Sequence, residues 1–457
     1  MNPKIVAILL MGGQGERFNS PLPKQFHPIG GKPVFVHTLE AFIKTNVFAK
    51  IILPCPIEWQ ETVISQIASL PGKNLIQIIP GGSCRQESSY LSLLSCDEDT
   101  DYVVIHDAVR PFVSQKILED NIEQVFLHGA VDTCIPSADT LVHSSEGTWI
   151  TNIPLRKEFL RGQTPQSFSF KLIVEAHKKA IEIGLVNSSD DCSLVKNFGY
   201  PIKIVMGSEH NIKITSLLDL FLAERLLQYP LEETSLVDLL QPDTLKGKVF
   251  AVTGATGGIG KTICQKLQEL GAIPIEISKT TSQFKADLTN YEEVKRIFHE
   301  IHTQYGPIDG LINSIGTFSV KNLEHLSEIE IQQTIANNLT SVIYCCQCCT
   351  IQQGGHIINI ASSSYSRGRK EYPVYSAAKA AVVNFTQALA ESKPELYVNV
   401  IVPQRTDTPL RRMNFPNENQ NALLHPKEVA EKITQLLHSN KISGGILEVR
   451  KKYLVKT

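Results

Sequence analysis

The chain of 457 residues has no apolar run approaching the ~18 residues of a membrane-spanning helix; Ile5 to Met11, the longest early one, has strand length. No membrane attachment is expected. It also lacks an excess of either charge: 44 Lys+Arg stand against 46 Asp+Glu, a formal net charge of -2. Without a broad basic field it has nothing to hold a polyanion, so no nucleic-acid partner is expected and any phosphate must be bound by local groups. The ten cysteines form no regular framework, which excludes a disulfide scaffold and points to free thiols in a reducing cytoplasm. No small-residue cleavage site follows the early apolar run. Gly12-Gly13 and Arg17 come there instead, so the start reads as a first strand and not as a secretory leader. No internal repeat stands out.

What is present is enough apolar mass for more than one core: 42% of residues are hydrophobic and 20% charged, in a length that favours two or three domains. Short apolar strands at Ile51-Leu53, Ile76-Ile79, Tyr102-His106, Ile273-Ile277, Gly310-Ile315, His356-Ala361 and Val398-Val402 alternate with helical patterns. That alternation predicts α/β architecture, with mostly parallel sheets covered by helices. After an amphipathic helix over Ser216 to Leu227, Tyr229-Pro230 and Gln241-Pro242-Asp243 break the periodicity, which predicts a linker at about 230–246 between domains at 1–230 and 246–457. The cluster Cys345-Cys346-Gln347-Cys348-Cys349 lies in a run, Leu339 to Thr350, that reads as one buried helix. Four thiols on one helix point round its axis, so core packing is expected there and not a metal site.

Ile8 to Gly15 runs from a strand into glycines, where the bare backbone of Gly12 and Gly13 can approach phosphates, with Arg17 and Lys24 as nearby cations. Alone, this is also what an ordinary tight turn looks like. Further motifs follow in order: Gly81-Gly82-Ser83-Cys84-Arg85-Gln86-Glu87-Ser88-Ser89, His106-Asp107-Ala108-Val109-Arg110-Pro111, Thr164-Pro165-Gln166, Ser189-Asp190-Asp191 and Asn211-Ile212-Lys213-Ile214-Thr215. Residues 3–228 thereby resemble the methylerythritol-phosphate and ribitol-phosphate cytidylyltransferases. The resemblance implies a Rossmann-like domain in which an alditol phosphate attacks the α-phosphorus of CTP, releasing pyrophosphate with Mg²⁺ help. It makes Arg17, Lys24 and Lys213 the cations at the reacting phosphates and sets Gly82 and Ser88 at the cytosine and ribose. Asp107, Arg110, Thr164 and Ser189 match positions near the alditol phosphate, with Asp107 at the metal. Arg156 matches an arginine supplied across a homodimer by an exchanged arm. Met11 stands where the family usually has alanine.

The second half opens with Thr253-Gly254-Ala255-Thr256-Gly257-Gly258-Ile259-Gly260, a strand leaving through glycines into a helix whose N-terminus can receive a pyrophosphate. Asp287, Asn313, Asn338, Ser362, Tyr375 and Lys379 follow; the last two are at i and i+4, so they share a helix face where an ammonium can lower the phenol's pKa. Residues 246–450 thus resemble the short-chain dehydrogenase/reductases. By that resemblance the second domain is also Rossmann-like, Tyr375 donates the proton, and Lys379 binds the nicotinamide ribose and acidifies Tyr375. Ser362 polarises the carbonyl and Asn338 holds a water relay; Gly254, Gly258, Gly260, Asp287, Asn313 and Thr408 belong to the cofactor site. Ser314-Ile315 replaces the usual Asn-Ala and Pro403-Gln404 the usual Pro-Gly. Ser278-Lys279 falls where NAD-dependent relatives carry an acidic residue, so NADPH is expected, with Lys279 pairing its 2'-phosphate. Arg411 and Arg412, in the segment where such enzymes build a substrate lid, are the candidates for a substrate phosphate, with Arg367, Arg369 and Lys370 as competitors.

The whole chain resembles bifunctional CDP-ribitol synthases. The expectation is reduction of D-ribulose 5-phosphate, then coupling of D-ribitol 5-phosphate to CTP, for capsule or cell-wall polysaccharide. The alternatives are a methylerythritol-phosphate cytidylyltransferase fused to an unrelated reductase, or a second half that only senses NADP(H).

Overall fold

Strand Ile5–Leu10 is apolar and buried at every position, the pattern of a strand covered on both faces. It pairs in parallel with Lys50–Cys55 on one side and Tyr102–Asp107 on the other. Their sheet runs in the order Ile76–Pro80, Lys50–Cys55, Ile5–Leu10, Tyr102–Asp107, Leu160–Ser169, Ala130–Pro136, Lys203–Met206. Leu160–Ser169 is antiparallel to both of its neighbours. Register sets Leu10 beside Asp107 and Ile105 beside Gln166. The ends of two parallel strands and the middle of the antiparallel one therefore bring Gly12, Asp107 and Thr164 to one end of the sheet.

The computed structural model describes residues 3–12, 18, 20, 22–186, 188, 190–228, 245–280, 282–438 and 443–451. The chain divides into two units, Met1–Leu227 and Gln228–Thr457. Of the linker expected at 230–246, all but 245 and 246 lies outside the described residues. Among the described residues no helix is long and apolar enough to cross a membrane.

Among the described residues the second unit holds seven parallel strands in the order Phe284–Lys285, Ile273–Ser278, Val249–Thr253, Ile308–Asn313, Ile351–Ile360, Tyr397–Pro403, Ile446–Val449. Chain order reverses between Val249–Thr253 and Ile308–Asn313, and the crevice at such a switch point is where ligands bind in open α/β sheets. Gly254 has φ +64, which favours glycine, and a Cβ on Gly260 would collide with the Gly254 carbonyl. The helix Gly258–Glu269 can therefore start tight against its strand.

The helix expected over Leu339 to Thr350 is shorter and differently built. A π turn, Ala336–Thr340, leads into Ser341–Cys348, and the next strand starts at Ile351. Cys345 and Cys346 are buried in the core, with Cys348 and Cys349 packed against it. The helix Pro373–Ser392, with proline at its first position where the missing N–H costs nothing, carries Tyr375 and Lys379.

Candidate active sites

In the first unit three cations converge on one carboxylate. Asp107, at the end of its strand, lies 2.9 Å from Lys213 Nζ and 3.6 Å from the Nε atoms of both Arg85 and Arg110. Burial alone would raise its pKa, but Lys213, then Arg85 and Arg110, hold it well below the usual carboxylate range. Thr164 Oγ1 accepts from the Asp107 N–H (3.1 Å) and meets His106 Nδ1 at 2.9 Å. Burial pushes His106 down to about 4, so it sits there neutral. Arg110 donates from Nη1 to the Asn211 carbonyl (2.7 Å), and Asn211 Nδ2 to the Thr164 carbonyl (2.8 Å). Strand ends and loops distant in sequence are thus tied to one another around Asp107.

A second corner joins the two glycine motifs. The Gly82 N–H donates to Ser88 Oγ (3.0 Å), and a Cβ on Gly12 would come within 3.2 Å of that same oxygen. On Gly82 it would run into Glu87 and the Ser88 amide. Gly12, Gly82 and Ser88 are brought together, with the buried Met11 carbonyl capped by Gln25 Nε2 (2.8 Å). Lys24 is half-buried on the short turn Lys24–Phe26. Gly13, Arg17 and Ser189 lie outside the described residues.

Arg156 is not at this site within its own chain. It is exposed on a segment, 137–159, that links Ala130–Pro136 to Leu160–Ser169, and donates to the Ala138 carbonyl (3.0 Å). The same segment exposes Val142, Trp149 (77% exposed), Ile150, Ile153, Leu155 and Phe159.

Sequence reasoning gave Arg85 no role, although its motif was visible. Besides facing Asp107 it donates to Asp191 (2.7 Å), a fully buried carboxylate that also accepts from Ser89 and meets His177 Nε2 at 3.0 Å. Side-chain direction decides this, and periodicity does not carry it.

In the second unit one cavity is lined by Gly257, Gly258 and Gly260, by Ser362, Tyr375 and Lys379, and by Thr408 and Arg411. Lys379 Nζ donates to the Ile360 carbonyl (3.0 Å), and burial lowers its pKa to about 8. Tyr375 is pushed up to about 12 by burial, with the Ser362 hydroxyl pulling the other way. The ammonium of Lys379, expected to acidify this phenol, stands 5.8 Å from the ring centroid, and in the cofactor-free state burial leaves the Tyr375 pKa raised. Asn338, on the π turn, donates to the carbonyls of Thr317 and Thr334 (2.9 Å each) and keeps a buried Oδ1 without a partner. Such an orphaned acceptor suits an ordered water. A Cβ on Gly316 would press on that oxygen at 2.8 Å and on Lys379 Nζ at 3.3 Å, which explains a glycine there.

The glycine turn fits a dinucleotide: its backbone is bare, and a Cβ on Gly258 would strike Thr408 at 2.9 Å. Ser278 fits too, its buried hydroxyl being unpartnered. Four expected residues are engaged elsewhere. Asn313 does not line the cavity; it accepts from Thr253 (3.2 Å) and donates to Asn359 (2.9 Å), tying three adjacent strands. Lys279 is held by Asp287 at 2.6 Å, which also removes Asp287 from free duty. Arg412 is turned away onto Asp407 (2.6 and 2.7 Å) and does not line the cavity. Arg411 does line it, but as half of a pair with Glu418 (2.7 and 3.0 Å), while Arg405, which sequence reasoning missed, lines it as well. Arg367, Arg369 and Lys370 are not among its lining residues.

Comparison with known proteins matches residues 5–229 to the 2-C-methyl-D-erythritol 4-phosphate cytidylyltransferase family and 248–419 to the short chain dehydrogenase family. A bifunctional ribulose 5-phosphate reductase/CDP-ribitol pyrophosphorylase of Haemophilus influenzae is 33% identical over 463 residues, covering 98% of this chain and 96% of that protein. A ribitol-5-phosphate cytidylyltransferase of Lactiplantibacillus plantarum is 36% identical over 49% of this chain and 98% of its own length. Among solved structures, a 4-diphosphocytidyl-2C-methyl-D-erythritol synthase of Anaerococcus prevotii is 28% identical, covering 50% of this chain and 99% of its own, with a TM-score of 0.45.

Proposed function

The chain belongs to the family of bifunctional ribulose 5-phosphate reductase/CDP-ribitol pyrophosphorylases, and from that premise we propose a division of labour between its units. The second unit reduces D-ribulose 5-phosphate to D-ribitol 5-phosphate with NADPH; the first couples that product to CTP, giving CDP-ribitol and pyrophosphate. The observation carrying this reading is that one chain matches a relative of both activities over 98% of its length, with Ser362, Tyr375 and Lys379 around one cavity in the second unit and Lys213 paired with Asp107 in the first. A mere NADP(H) sensor would need the glycine cradle but not Ser362, Tyr375, Lys379 and Asn338.

In the reductase a nicotinamide cofactor supplies the hydride for the carbonyl carbon. Tyr375 Oη, protonated across the physiological range, gives its proton to the carbonyl oxygen while the Ser362 hydroxyl hydrogen-bonds that oxygen. Lys379 offers a positive charge beside the developing alkoxide, and Asn338 Oδ1 holds the water that returns a proton to the site. Gly254, Gly258, Gly260 and Thr408 shape the cofactor cradle. Ser278, and Lys279 on release from Asp287, meet the 2'-phosphate of NADPH; Asp287 then anchors the adenine side.

In the transferase a phosphate oxygen of the alditol phosphate attacks the α-phosphorus of CTP and pyrophosphate leaves. Phosphoryl-type transfer asks for positioning and charge stabilisation, which Arg17, Lys24 and Lys213 provide. Gly12, Gly13, Gly82 and Ser88 hold the nucleotide, while Arg110, Thr164 and Ser189 hold the alditol phosphate. Asp107 is a single ionised carboxylate, and among the described residues no group of three or more His, Cys, Asp or Glu gathers to cage a metal. That set fits Mg²⁺ arriving on the triphosphate, since this ion takes one or two carboxylates together with substrate phosphates. Arg156 completes the site of a second copy, the exposed apolar segment 137–159 forming the arm of a homodimer. The reading places the enzyme in the cytoplasm, with domains at 1–230 and 246–457 and CDP-ribitol destined for a surface polysaccharide.

Purified protein given ribulose 5-phosphate, NADPH, CTP and Mg²⁺ should yield a product with the mass of CDP-ribitol. Product only from methylerythritol phosphate, with no ketose phosphate reduced, would overturn the reading.

A further inference from the structure

The rim of the reductase cavity carries a charge cluster that the hydride chemistry does not use. Glu418 accepts from Arg411 through Nε (2.7 Å) and Nη2 (3.0 Å) and from Arg405 through Nη1 (2.9 Å). Two arginines share one carboxylate, so the cluster keeps a net positive charge. Arg411 is also stacked on Phe415, its guanidinium carbon 3.7 Å from the ring centroid. Pinned on one edge and stacked on one face, it has lost most of the rotamer freedom that binding would otherwise cost. Glu418 uses Nε and Nη2, which leaves the Nη1 edge of Arg411 for a ligand.

The cluster is also at a useful remove from the reacting groups. Phe318 lies 4.9 Å from the Tyr375 ring and 5.8 Å from that of Phe415, so a wall of aromatic rings runs from the proton donor to Arg411. In a pentulose 5-phosphate the carbonyl and the phosphorus are separated by three carbons and an ester oxygen. A substrate with its carbonyl at Ser362 and Tyr375 would extend its far end along that wall.

We propose that Arg405 and Arg411, held by Glu418, form the subsite that binds the terminal phosphate of the ketose and selects phosphorylated over free sugars. This deepens the functional reading above and rests on it. The site takes a phosphate monoester by charge-assisted hydrogen bonds, the geometry for which guanidinium is suited. It replaces the pair Arg411 and Arg412: Arg412 is committed to Asp407, outside the cavity.

The test uses the full chain and three probes, D-ribulose 5-phosphate, unphosphorylated D-ribulose and inorganic phosphate. Arg405→Ala keeps the Arg411–Glu418 pair, and with it the local fold, since Arg405 is 58% exposed. It should raise KM for ribulose 5-phosphate at least threefold, and the Arg405→Ala/Arg411→Ala double variant at least tenfold. Both should raise KM for ribulose 5-phosphate far more than they lower the turnover of D-ribulose, and in the double variant inorganic phosphate should cease to compete with the ketose phosphate. Unaltered KM and unaltered phosphate inhibition in Arg405→Ala and the double variant would overturn the subsite alone. So would equal losses on phosphorylated and free ribulose. Failure of the wild-type chain to reduce ribulose 5-phosphate at all would overturn the functional reading, and the subsite with it.

Discussion

Asp107 of the first unit stands among Lys213, Arg85 and Arg110, all within 3.6 Å, whereas Lys379 of the second is charged against nothing nearer than a backbone carbonyl. The first site thus holds its charges by pairing them, and it tolerates burial because each has a partner. The second holds a cation by enclosure alone, and burial draws its pKa to about 8. The contrast matches the chemistries. A nucleotidyl transfer must meet the many negative charges of a triphosphate with fixed cations, and those cations need a carboxylate to keep them ordered before substrate arrives. A proton donor with a pKa tuned by its surroundings needs a dry pocket, so its cation is left exposed to the cost of desolvation.

The pairing in the first unit can be broken most severely at Asp191, whose loss removes the buried acceptor of Ser89 and His177 and leaves Arg85 only the more distant Asp107. Asp191→Ala should destabilise that unit by about 3–5 kcal/mol, the usual cost of removing one partner of a buried ion pair. Calorimetry should show one unit melting early while the reductase survives. Next in size, Lys213→Ala should lower CDP-alditol formation by about 10²–10³-fold and leave NADPH oxidation intact. Tyr375→Phe should do the reverse when ribitol 5-phosphate is supplied; joint loss in folded protein would mean that the sites are not independent.

The second unit should respond to charge removal with the opposite sign. The folded pKa of Lys379, about 8, lies below the usual 10.5, so its charge costs stability in full below pH 8. That cost fades as pH rises toward 10.5, because there the unfolded chain binds the extra proton. Lys379→Met should therefore stabilise the cofactor-free protein at pH 7 by on the order of 1–3 kcal/mol while abolishing reduction. For the wild type, kcat/KM for ketose phosphate should stay level to about pH 8 and fall above it as Lys379 loses its proton. A profile that keeps rising through pH 9 would contradict this. The smallest effect belongs to Lys279: replacement by Ala should raise KM for NADPH about tenfold, worth about 1.4 kcal/mol, and spare NADH.

The sequence made the strands that carry these sites legible, because parallel strands buried on both faces read as short apolar runs; Val398 to Val402, for example, falls within Tyr397–Pro403, where every one of those five residues is buried. Tyr375 and Lys379 were equally legible, since helical spacing alone sets them on one face. What stayed hidden depends on partners remote in sequence. Asn313 lies in the expected strand Gly310 to Ile315, which in fact ends at it, yet its amide turns into the sheet because Thr253 and Asn359 offer it bonds there. Arg411 and Arg412 are adjacent and chemically alike, and only the positions of Glu418 and Asp407 separate their fates. The antiparallel course of Leu160–Ser169 against both of its neighbours is set by how the chain returns to the sheet after 137–159, which no local pattern encodes.

The most direct test of two sites working on one carbon skeleton follows the hydrogen itself. Full-length protein is given CTP, Mg²⁺, ribulose 5-phosphate and NADPH deuterated at the transferable position, and the nucleotide-linked pentitol is weighed. Two sites acting in sequence should give CDP-ribitol carrying one deuterium, absent with Tyr375→Phe and restored without label when ribitol 5-phosphate is added. Unlabelled CDP-ribitol from ribulose 5-phosphate, or label that accumulates only in a pentitol phosphate never joined to CTP, would contradict it.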